Sequence, residues 1–370
     1  MNGPTVRGGI WNPAPNLPPP ANSRLVSRFV RALFGTWTDR FITLGCIGLL
    51  VSVVPGLVDW AFTSATWSAA NADACTPERG ACWAVIDVRH RLIFFGLYPF
   101  EQHWRSALAC LTIVLVSILS CVPAFWTPKR LSSLWIVGFV VFYVLMRGGV
   151  FGLEDVTTDR WGGLALTLFI FASVVLLGFP ISIALALARQ SDLPVVRRTA
   201  GFFIDLTRSF PLLTILFAAA VILPFALPHW LQGDKLYRVI VAFAFFFACY
   251  QAEIIRGGLQ AIPAGQNEGA RALGLNYWHR VWLIQLPQAF RNALPATINQ
   301  VVITFKETSV VVIIGFFEVM ASGNAAFGSG EWTHAYVEVY VFVALIYFVF
   351  VFSLSRYGAY LERRMRVGLD

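Results

Sequence analysis

Charge is the property that this sequence has least of. Only 13% of its 370 residues are Asp, Glu, Lys or Arg, whereas 57% are hydrophobic and the mean hydropathy is +0.67. A soluble domain carries about 25% charged residues. The shortfall excludes a soluble core of this size, and the long apolar runs predict an all-α, polytopic membrane protein. The net charge of +8 is therefore a weak sign of nucleic-acid binding, and we expect none.

Motifs of known chemistry are missing as well. No G-x-x-x-x-G-K-[ST] phosphate loop occurs, so this chain alone is not expected to bind and hydrolyse ATP in that way. There is no H-E-x-x-H, C-x-x-C or G-x-S-x-G segment either. The five histidines are scattered over different loops. They are His90, His103, His229, His279 and His334. We therefore expect no metal site and no catalytic constellation.

Eight apolar segments are long enough, or nearly so, to cross a bilayer. They cover residues 41–60, 106–126, 131–146, 162–188, 200–227, 236–255, 293–318 and 335–355. The segment 131–146 has 16 residues, against the roughly 20 that a transmembrane helix needs. A tilted or re-entrant segment is the alternative for it.

The distribution of Lys and Arg predicts the orientation. If the N-terminus is cytoplasmic, 18 of the 28 basic residues fall in inside regions and eight in outside regions, with Arg208 and Lys306 within spans. Cytoplasmic loops of membrane proteins carry the excess of Lys and Arg, so both termini are predicted to be inside. We expect no cleaved signal peptide, a disordered basic cytoplasmic tail over residues 1–40, an outer loop over 61–105 and an inner loop over 256–292.

The cysteines divide into two groups. Four lie in apolar runs and are interpreted as small buried hydrophobic residues, namely Cys46, Cys110, Cys121 and Cys249. Cys75 and Cys82 flank the polar sequence "CTPERGAC" in the predicted outer loop. In an oxidising compartment these two are candidates for a disulfide, and two free thiols are the alternative.

The inner loop contains the most informative polar stretch of the chain. Pro263 suits the first turn of a helix, Glu268 to Leu273 are helix formers, and Gly274 occupies the position of a left-handed cap. A helix of about ten residues is marginal in water by itself, so we expect it to dock against something. Ala270 and Leu273 are predicted to share one face that could enter a groove.

An amphipathic face follows this short helix. Trp278, Val281, Trp282 and Gln285 have the spacing i, i+3, i+4, i+7 and suit the membrane–water boundary. An ordinary interfacial loop is the alternative interpretation of the whole stretch.

The sequence "EGARALGLNYWHRVWLIQLP" resembles the EAA loop of ABC-importer membrane subunits. That pattern is E-A-A, three residues, G, about nine residues, then I-x-L-P, and it is matched by Glu268, Gly269, Ala270, Gly274, Ile284, Leu286 and Pro287. Gly269 stands where the pattern has Ala, a change between small residues. The resemblance implies that the seven residues of the short helix couple to an ATPase, namely Glu268, Gly269, Ala270, Arg271, Ala272, Leu273 and Gly274.

Further segments are similar to the polar-amino-acid subfamily of these importers. They are "RSFPLLTILF", "YQAEIIRGGLQAIPAGQ" and "FKETSVVVIIGFFEV", and "RGGVFGLEDVTTDRWGGL" resembles the M-type subunit of general L-amino-acid importers. The resemblance implies a MetI-like core of five helices over 162–356, preceded by an extension over 41–161 with three extra spans. A cytoplasmic C-terminal tail would follow over 357–370.

The same resemblance implies the surroundings of the chain. They are the bacterial inner membrane and its lipid, a homologous permease subunit, two ATPase subunits that hold ATP and Mg, and a periplasmic amino-acid-binding protein. No cofactor is expected in this chain. The implied function is ATP-driven import of L-amino acids with broad specificity, and opines or small peptides are alternative substrates.

Polar residues within the predicted spans are candidates for the substrate pathway, because ionisable groups in lipid are costly. They are Arg208, Asn299, Thr304, Lys306, Glu307, Thr308 and Ser309. For the patch from Asn299 to Ser309 the alternative to a water-lined pathway is a structural role, in which most of these residues hydrogen-bond to neighbouring helices. For Arg208 the alternative is a structural ion pair with Asp205, three residues earlier. Lys306 and Glu307 are adjacent, so at most one of them is expected to face a given cavity.

Two other classes remain as rivals. An ion-coupled secondary transporter would share the polar spans, but such proteins are often built from repeats, and none is evident here. A polytopic membrane enzyme would need a catalytic constellation, which the sequence does not supply.

Overall fold

The computed structural model describes residues 30, 32–68, 75, 80–328 and 330–366. The Pro-rich part of the predicted N-terminal tail lies outside these residues. Helices follow one another through the described chain, which confirms the all-α fold class. The chain divides into two units, one of residues 1–65 with 78–81 and one of residues 66–77 with 82–370.

The smaller unit contains one long helix, α1, over Trp37–Val58. The helix begins at a capping box, in which Thr36 and Asp39 each accept the other's backbone N–H. A π-helical turn at Asp59–Thr63 extends it to 27 residues, and none of its residues is buried. A helix that is apolar on every side is typical of a membrane span.

The larger unit contains the remaining helices of the described residues. The longer ones are α2 (Ala84–Phe95), α3 (His103–Ser120), α4 (Pro128–Arg147), α5 (Gly163–Arg189), α6 (Pro194–Ser209), α7 (Leu212–Phe217), α8 (Lys235–Gln260), α9 (Ala264–Ala272), α10 (Leu286–Glu307), α11 (Val319–Gly328) and α12 (Tyr336–Arg366). Single turns at Tyr277–Arg280 and Val281–Gln285 lead into α10, and a 3-10 helix at Thr308–Ile314 follows it.

Among the described residues, seven helices are long and apolar enough to cross a membrane, or eight if one bent pair is counted. The eight predicted segments correspond in position to these seven helices and the bent pair. The segment that looked short is a helix of 20 residues, α4. The bent pair is α6 with the turns from Leu212 to Ala226, and the 103° bend falls at Phe210 and Pro211. Proline cannot donate to the helical ladder, which explains the break.

One predicted boundary differs from the structure. The span expected to begin at residue 293 begins at Tyr277, in a helical stretch of 38 residues that ends at Ile314. Pro287 occupies the first turn of α10, directly after a π-helical turn. The wider turn changes the hydrogen-bond register just before the proline, so the helix continues through it.

The centre of the larger unit is the crossing of α5 and α8. A Cβ added at Gly178 would lie 2.5 Å from the Phe247 ring and 2.8 Å from the Ala244 carbonyl oxygen, so the two backbones approach as closely as glycine allows. Phe142 of α4 stacks on Phe169 of α5 with ring centroids 5.0 Å apart. Helices α3 and α4 of the predicted N-terminal extension therefore share one hydrophobic core with the later helices.

The predicted outer loop contains helix α2. Its residues Ala84, Val85 and Ile93 are buried in a second cluster with Trp332 and Val339. Beside it, Gly162 and Gly163 pair with a two-residue strand, Phe317–Glu318, in parallel. Gly163 has φ +57° and lies so close to Phe94 that a Cβ would be 2.1 Å from that residue's carbonyl oxygen, so only glycine fits.

Candidate functional site

The polar stretch of the inner loop folds as the predicted short helix. Helix α9 has nine residues, follows Pro263, and ends before Gly274, whose φ is +71°. The N–H of Gly274 donates to the Arg271 carbonyl at 2.9 Å, and the N–H of Leu275 donates to the Ala270 carbonyl at 3.1 Å. Both the helix and its left-handed glycine cap are thus confirmed.

Only one side of α9 is covered by the chain. Ala270 is 3% exposed, whereas Leu273 is 81% exposed, so the expectation that they share a docking face is wrong. Leu273 lies at the C-cap, where the backbone leaves the helical path and the side chain turns outward. The exposed side carries Glu268 and Gly269, and a Cβ on Gly269 would meet nothing within 4 Å.

Asn267 connects α9 to the start of the long helix. Its Oδ1 accepts from Arg280 Nη1 at 3.3 Å and from Gln285 Nε2 at 3.4 Å. Trp278 and Trp282 are more than half exposed whereas Val281 is buried, so these residues do not share the single face that their spacing predicts. The two contacts of Asn267 join α9 to the turns that lead into α10.

An ion-pair cluster lies at the ends of α5, α6 and α8. Arg189 binds both carboxylate oxygens of Asp205 at 2.8 and 3.1 Å, and its Nε lies 3.2 Å from Glu253. Glu253, whose side chain is 14% exposed, also pairs with Arg256 at 2.9 Å and with Arg208 at 3.9 Å. Three guanidinium groups and two carboxylates thus hold three helix ends together just before α9.

Arg208 is therefore not paired with Asp205, contrary to the structural alternative considered for it. The bidentate contact from Arg189 occupies Asp205, and Arg208 turns toward Glu253 with its guanidinium 5.2 Å from the centre of the Tyr250 ring. No local pattern marks the role of Glu253, because its contacts with Arg189 and Arg208 join the ends of apolar runs that lie far apart in the chain.

The polar residues of α10 separate onto two sides of the helix. Gln300, Thr304 and Thr308, spaced four apart, are buried, and the hydroxyls of Thr304 and Thr308 donate to carbonyls of their own helix. Asn299 and Lys306, seven apart, are exposed. The residues predicted as one patch therefore form a buried side and an exposed side.

The remaining two predicted pathway residues follow Lys306 along the chain. Glu307 is half-buried, and its Oε2 has no hydrogen-bond partner among the described residues. The hydroxyl of Ser309 donates to the Lys306 carbonyl at 2.8 Å. Lys306 is exposed and Glu307 is half-buried, so the two side chains have different surroundings.

Sequence reasoning missed a buried carboxylate, Glu318. It accepts from the backbone N–H groups of Met320 and Ala321 at 2.8 and 2.9 Å, and from the Tyr347 hydroxyl at 3.0 Å. Its contacts link the start of α11 to α12, and Thr167 of α5 lies 3.5 Å away. The sequence signal was a lone acidic residue after an apolar run, which is too weak to identify such a role.

The two cysteines of the predicted outer loop are joined in the structure. Cys75 and Cys82 form a disulfide with their Cα atoms 5.6 Å apart, and the N–H of Cys82 donates to Glu338 at 2.7 Å. His334 lies beside them, within 4.8 Å of both sulfurs by its nearer ring nitrogen. Since both sulfurs are used in the disulfide, they offer no thiolate to a metal.

Comparison with known proteins shows the family. The model of the family described as binding-protein-dependent transport system inner membrane component matches residues 178–367, just over half of the chain. The chain belongs to this family. Its resemblance to ABC-importer membrane subunits is thereby confirmed.

Two curated relatives match nearly the whole chain. The inner membrane amino-acid ABC transporter permease protein YhdY of Escherichia coli K12 is 42% identical over 96% of this chain and 97% of its own length. The glutamate/glutamine/aspartate/asparagine transport system permease protein BztC of Rhodobacter capsulatus is 33% identical over 87% of this chain and 90% of its own.

A shorter relative matches only part of the chain. The arginine transport system permease protein ArtQ of Bacillus subtilis is 35% identical over 55% of this chain and 91% of its own length. Among solved structures, an amino acid ABC transporter crystallised with histidines covers 54% of this chain and 90% of its own, with 30% identity and a TM-score of 0.48.

Proposed function

We propose that this chain is a membrane-spanning subunit of an ATP-driven importer that moves L-amino acids from the periplasm to the cytoplasm. The observation that carries the proposal is α9, a short helix that is open on one side and matches the EAA pattern from Glu268 to Gly274. The family membership and the amino-acid substrates in the names of its relatives support it.

The proposed energy source lies outside this chain. Two ATPase subunits would hold ATP and Mg, receive the exposed side of α9, and pull on α10 through Asn267. A homologous permease subunit would complete the pathway, and a periplasmic binding protein would deliver the amino acid. The chain itself performs no hydrolysis in this scheme.

The exposed side of α10 is the proposed substrate pathway in this chain. Asn299 and Lys306 point away from the core in a segment where lipid would penalise both groups. A water-lined cavity shared with the second permease would solvate them, and the Lys306 ammonium would attract the substrate carboxylate. Glu307 follows Lys306 along this segment, and Thr304, Thr308 and Ser309 would position the helix.

Transport in proteoliposomes tests the proposal. The complex is purified with its co-expressed partners, and uptake of radiolabelled amino acids is compared with a complex whose ATPase is inactive. We expect uptake to require ATP hydrolysis. Uptake that persists with the inactive ATPase when an ion gradient is supplied would instead identify an ion-coupled transporter.

The role of α9 is tested by Gly274→Pro, with Gly269→Ala as the matched control. Proline cannot adopt φ +71° and lacks the N–H that bonds to Arg271, so the helix end should be lost and ATP hydrolysis should uncouple from uptake. Alanine at Gly269 meets nothing within 4 Å in this chain and restores the residue of the family pattern, so coupling should persist. Unchanged coupling in Gly274→Pro would contradict this role.

A further inference from the structure

An apolar cleft between the extension and the core has no assigned role. It has a volume of about 360 Å³ and lies between α3, α4, α5, α10 and α12. Its walls include Ile118, Trp135, Phe171, Phe305 and Leu354. It opens at the surface, since Ile118 is 56% exposed.

The hydroxyl and thiol groups that line the cleft already have hydrogen-bond partners. The hydroxyls of Ser117 and Ser353 donate to carbonyls of their own helices at 2.8 and 2.7 Å, and the Cys121 thiol donates to the Ser117 carbonyl at 3.3 Å. The Tyr357 hydroxyl donates to the Cys121 carbonyl at 3.4 Å. None of these hydroxyl and thiol groups needs a polar ligand as a hydrogen-bond partner, so the chemistry of the cleft favours an apolar occupant.

The dimensions fit one hydrocarbon chain. The lining residues of α12 run from Val349 to Tyr357, about 12 Å along the helix axis, against about 15 Å for one leaflet of the hydrocarbon core. Over that length the volume corresponds to a cross-section of about 30 Å². A packed α-helix, about 10 Å in diameter, needs roughly 80 Å².

Basic and aromatic residues continue from one end of the cleft. The ring of Tyr357 stacks on Tyr360, whose hydroxyl accepts from Arg364 Nη1 at 3.3 Å. The Arg364 guanidinium lies 5.1 Å from the centre of the Trp126 ring. Within the described chain no carboxylate lies within salt-bridge distance of Arg364, and Lys129 is exposed in the first turn of α4.

We propose that an anionic phospholipid of the surrounding bilayer binds at this cleft, with one acyl chain between α3 and α12 and its phosphate at Arg364. Basic pockets between transmembrane helices bind anionic head groups, and Trp and Tyr mark the depth of the head groups. The bound lipid fills the gap between the extension and the core. The proposal requires only that these helices span the membrane, and it can fail independently of the transport function.

Native mass spectrometry of the complex with its partners tests the proposal. Phosphatidylglycerol and phosphatidylcholine are added at matched concentrations to wild type, Arg364→Gln and Arg363→Gln. We expect wild type to retain phosphatidylglycerol preferentially, and Arg364→Gln to weaken that retention about fivefold, the factor equivalent to about 1 kcal/mol for one basic residue near the membrane surface. Arg363→Gln removes the same charge from an exposed neighbour outside the cleft and should change nothing.

A second variant keeps the proposal testable if the charge change perturbs the fold. Ser353→Phe adds bulk at an exposed lining position and should block retention of the acyl chain while the thermal unfolding midpoint stays unchanged. Equal retention of the two lipids by wild type would overturn the proposal, as would equal losses in the two arginine variants. Cross-links from an Ile118→Cys variant to a partner helix rather than to lipid would identify a protein occupant instead.

Discussion

Two adjacent glycines near the end of α8 have opposite surroundings. A Cβ on Gly258 would lie 2.3 Å from the Ala289 carbonyl oxygen and 3.0 Å from the Ala293 Cβ, whereas a Cβ on Gly257 would meet nothing within 4 Å. Gly258 thus sets how closely α8 and α10 approach beside the α9 loop. Asn292, which donates to the Gly258 carbonyl at 3.2 Å, reinforces the contact.

We therefore predict that Gly258→Ala destabilises the protein and Gly257→Ala does not. The added methyl group at residue 258 forces the two backbones apart, at a cost of about 1–3 kcal/mol for overpacking. At residue 257 alanine improves helix propensity by up to about 1 kcal/mol. The thermal unfolding midpoint of the purified complex measures the stability of each variant. Equal midpoints for the two variants would refute the close packing at Gly258.

Glu253 is the residue on which the ion-pair cluster depends. It is the shared partner of Arg189, Arg208 and Arg256, and its side chain is only 14% exposed. Replacing it by Gln leaves these guanidinium groups facing one another with Asp205 as the remaining carboxylate. We predict a loss of about 1–3 kcal/mol in stability, since a partly buried charge loses its partner while solvent still screens part of the effect.

A matched control separates this effect from a general change of charge. Asp192 is exposed near the same helix ends and forms no salt bridge within the part of the chain that the structure describes. Asp192→Asn should leave the unfolding midpoint unchanged, whereas Glu253→Gln should lower it. In a double-mutant cycle, additive effects of Glu253→Gln and Arg256→Gln would show that the pair is not coupled.

At the scale of secondary-structure elements, a disulfide stabilises the segment that leads into α2. The disulfide between Cys75 and Cys82 closes a short loop before α2, and α2 packs into the cluster that contains Trp332. Closing a loop of this length lowers the conformational entropy of the unfolded state, which stabilises the folded state by about 2–3 kcal/mol. We predict that replacing both cysteines by Ser lowers the unfolding midpoint accordingly.

Reduction provides the complementary measurement. Wild type from an oxidising periplasm should show no alkylation of Cys75 or Cys82 by mass spectrometry until it is reduced, and reductant should lower its unfolding midpoint. The double Ser variant should not respond to reductant. Alkylation of both thiols in unreduced wild type would remove the disulfide from the account of this segment.

The sequence predicted elements better than it predicted contacts. Long apolar runs specify membrane helices almost independently of their neighbours, so the eight segments and the α9 cap at Gly274 were predictable. The direction of a side chain depends on packing, and this is why Ala270 and Leu273 were placed on one face although only Ala270 is buried. The pairing of Arg189 with Asp205 joins residues of different helices. It leaves no local pattern in the sequence from which it could be predicted.

For the whole molecule, the bent pair decides how many times the chain crosses the membrane. Helix α6 and the turns from Leu212 to Ala226 meet at 103°, so they form either one broken span or a re-entrant segment. With a broken span the described residues make eight crossings, and the two ends of the described chain share one side. With a re-entrant segment they make seven, and these two ends lie on opposite sides. The excess of basic residues predicted inside favours eight.

Cysteine labelling in intact cells measures this topology. In a variant whose free cysteines are replaced by Ser, single cysteines are placed at the exposed positions Asp192, His229 and Arg363 and treated with a membrane-impermeant maleimide. With eight crossings only His229→Cys is labelled, and permeabilised cells label all three, which shows that each site is reactive. If Asp192→Cys and His229→Cys instead behave alike while Arg363→Cys differs from both, the bent pair does not cross. The C-terminus and α9 are both predicted to lie in the cytoplasm. The side of the membrane that each occupies would then have to be reassigned from the labelling pattern.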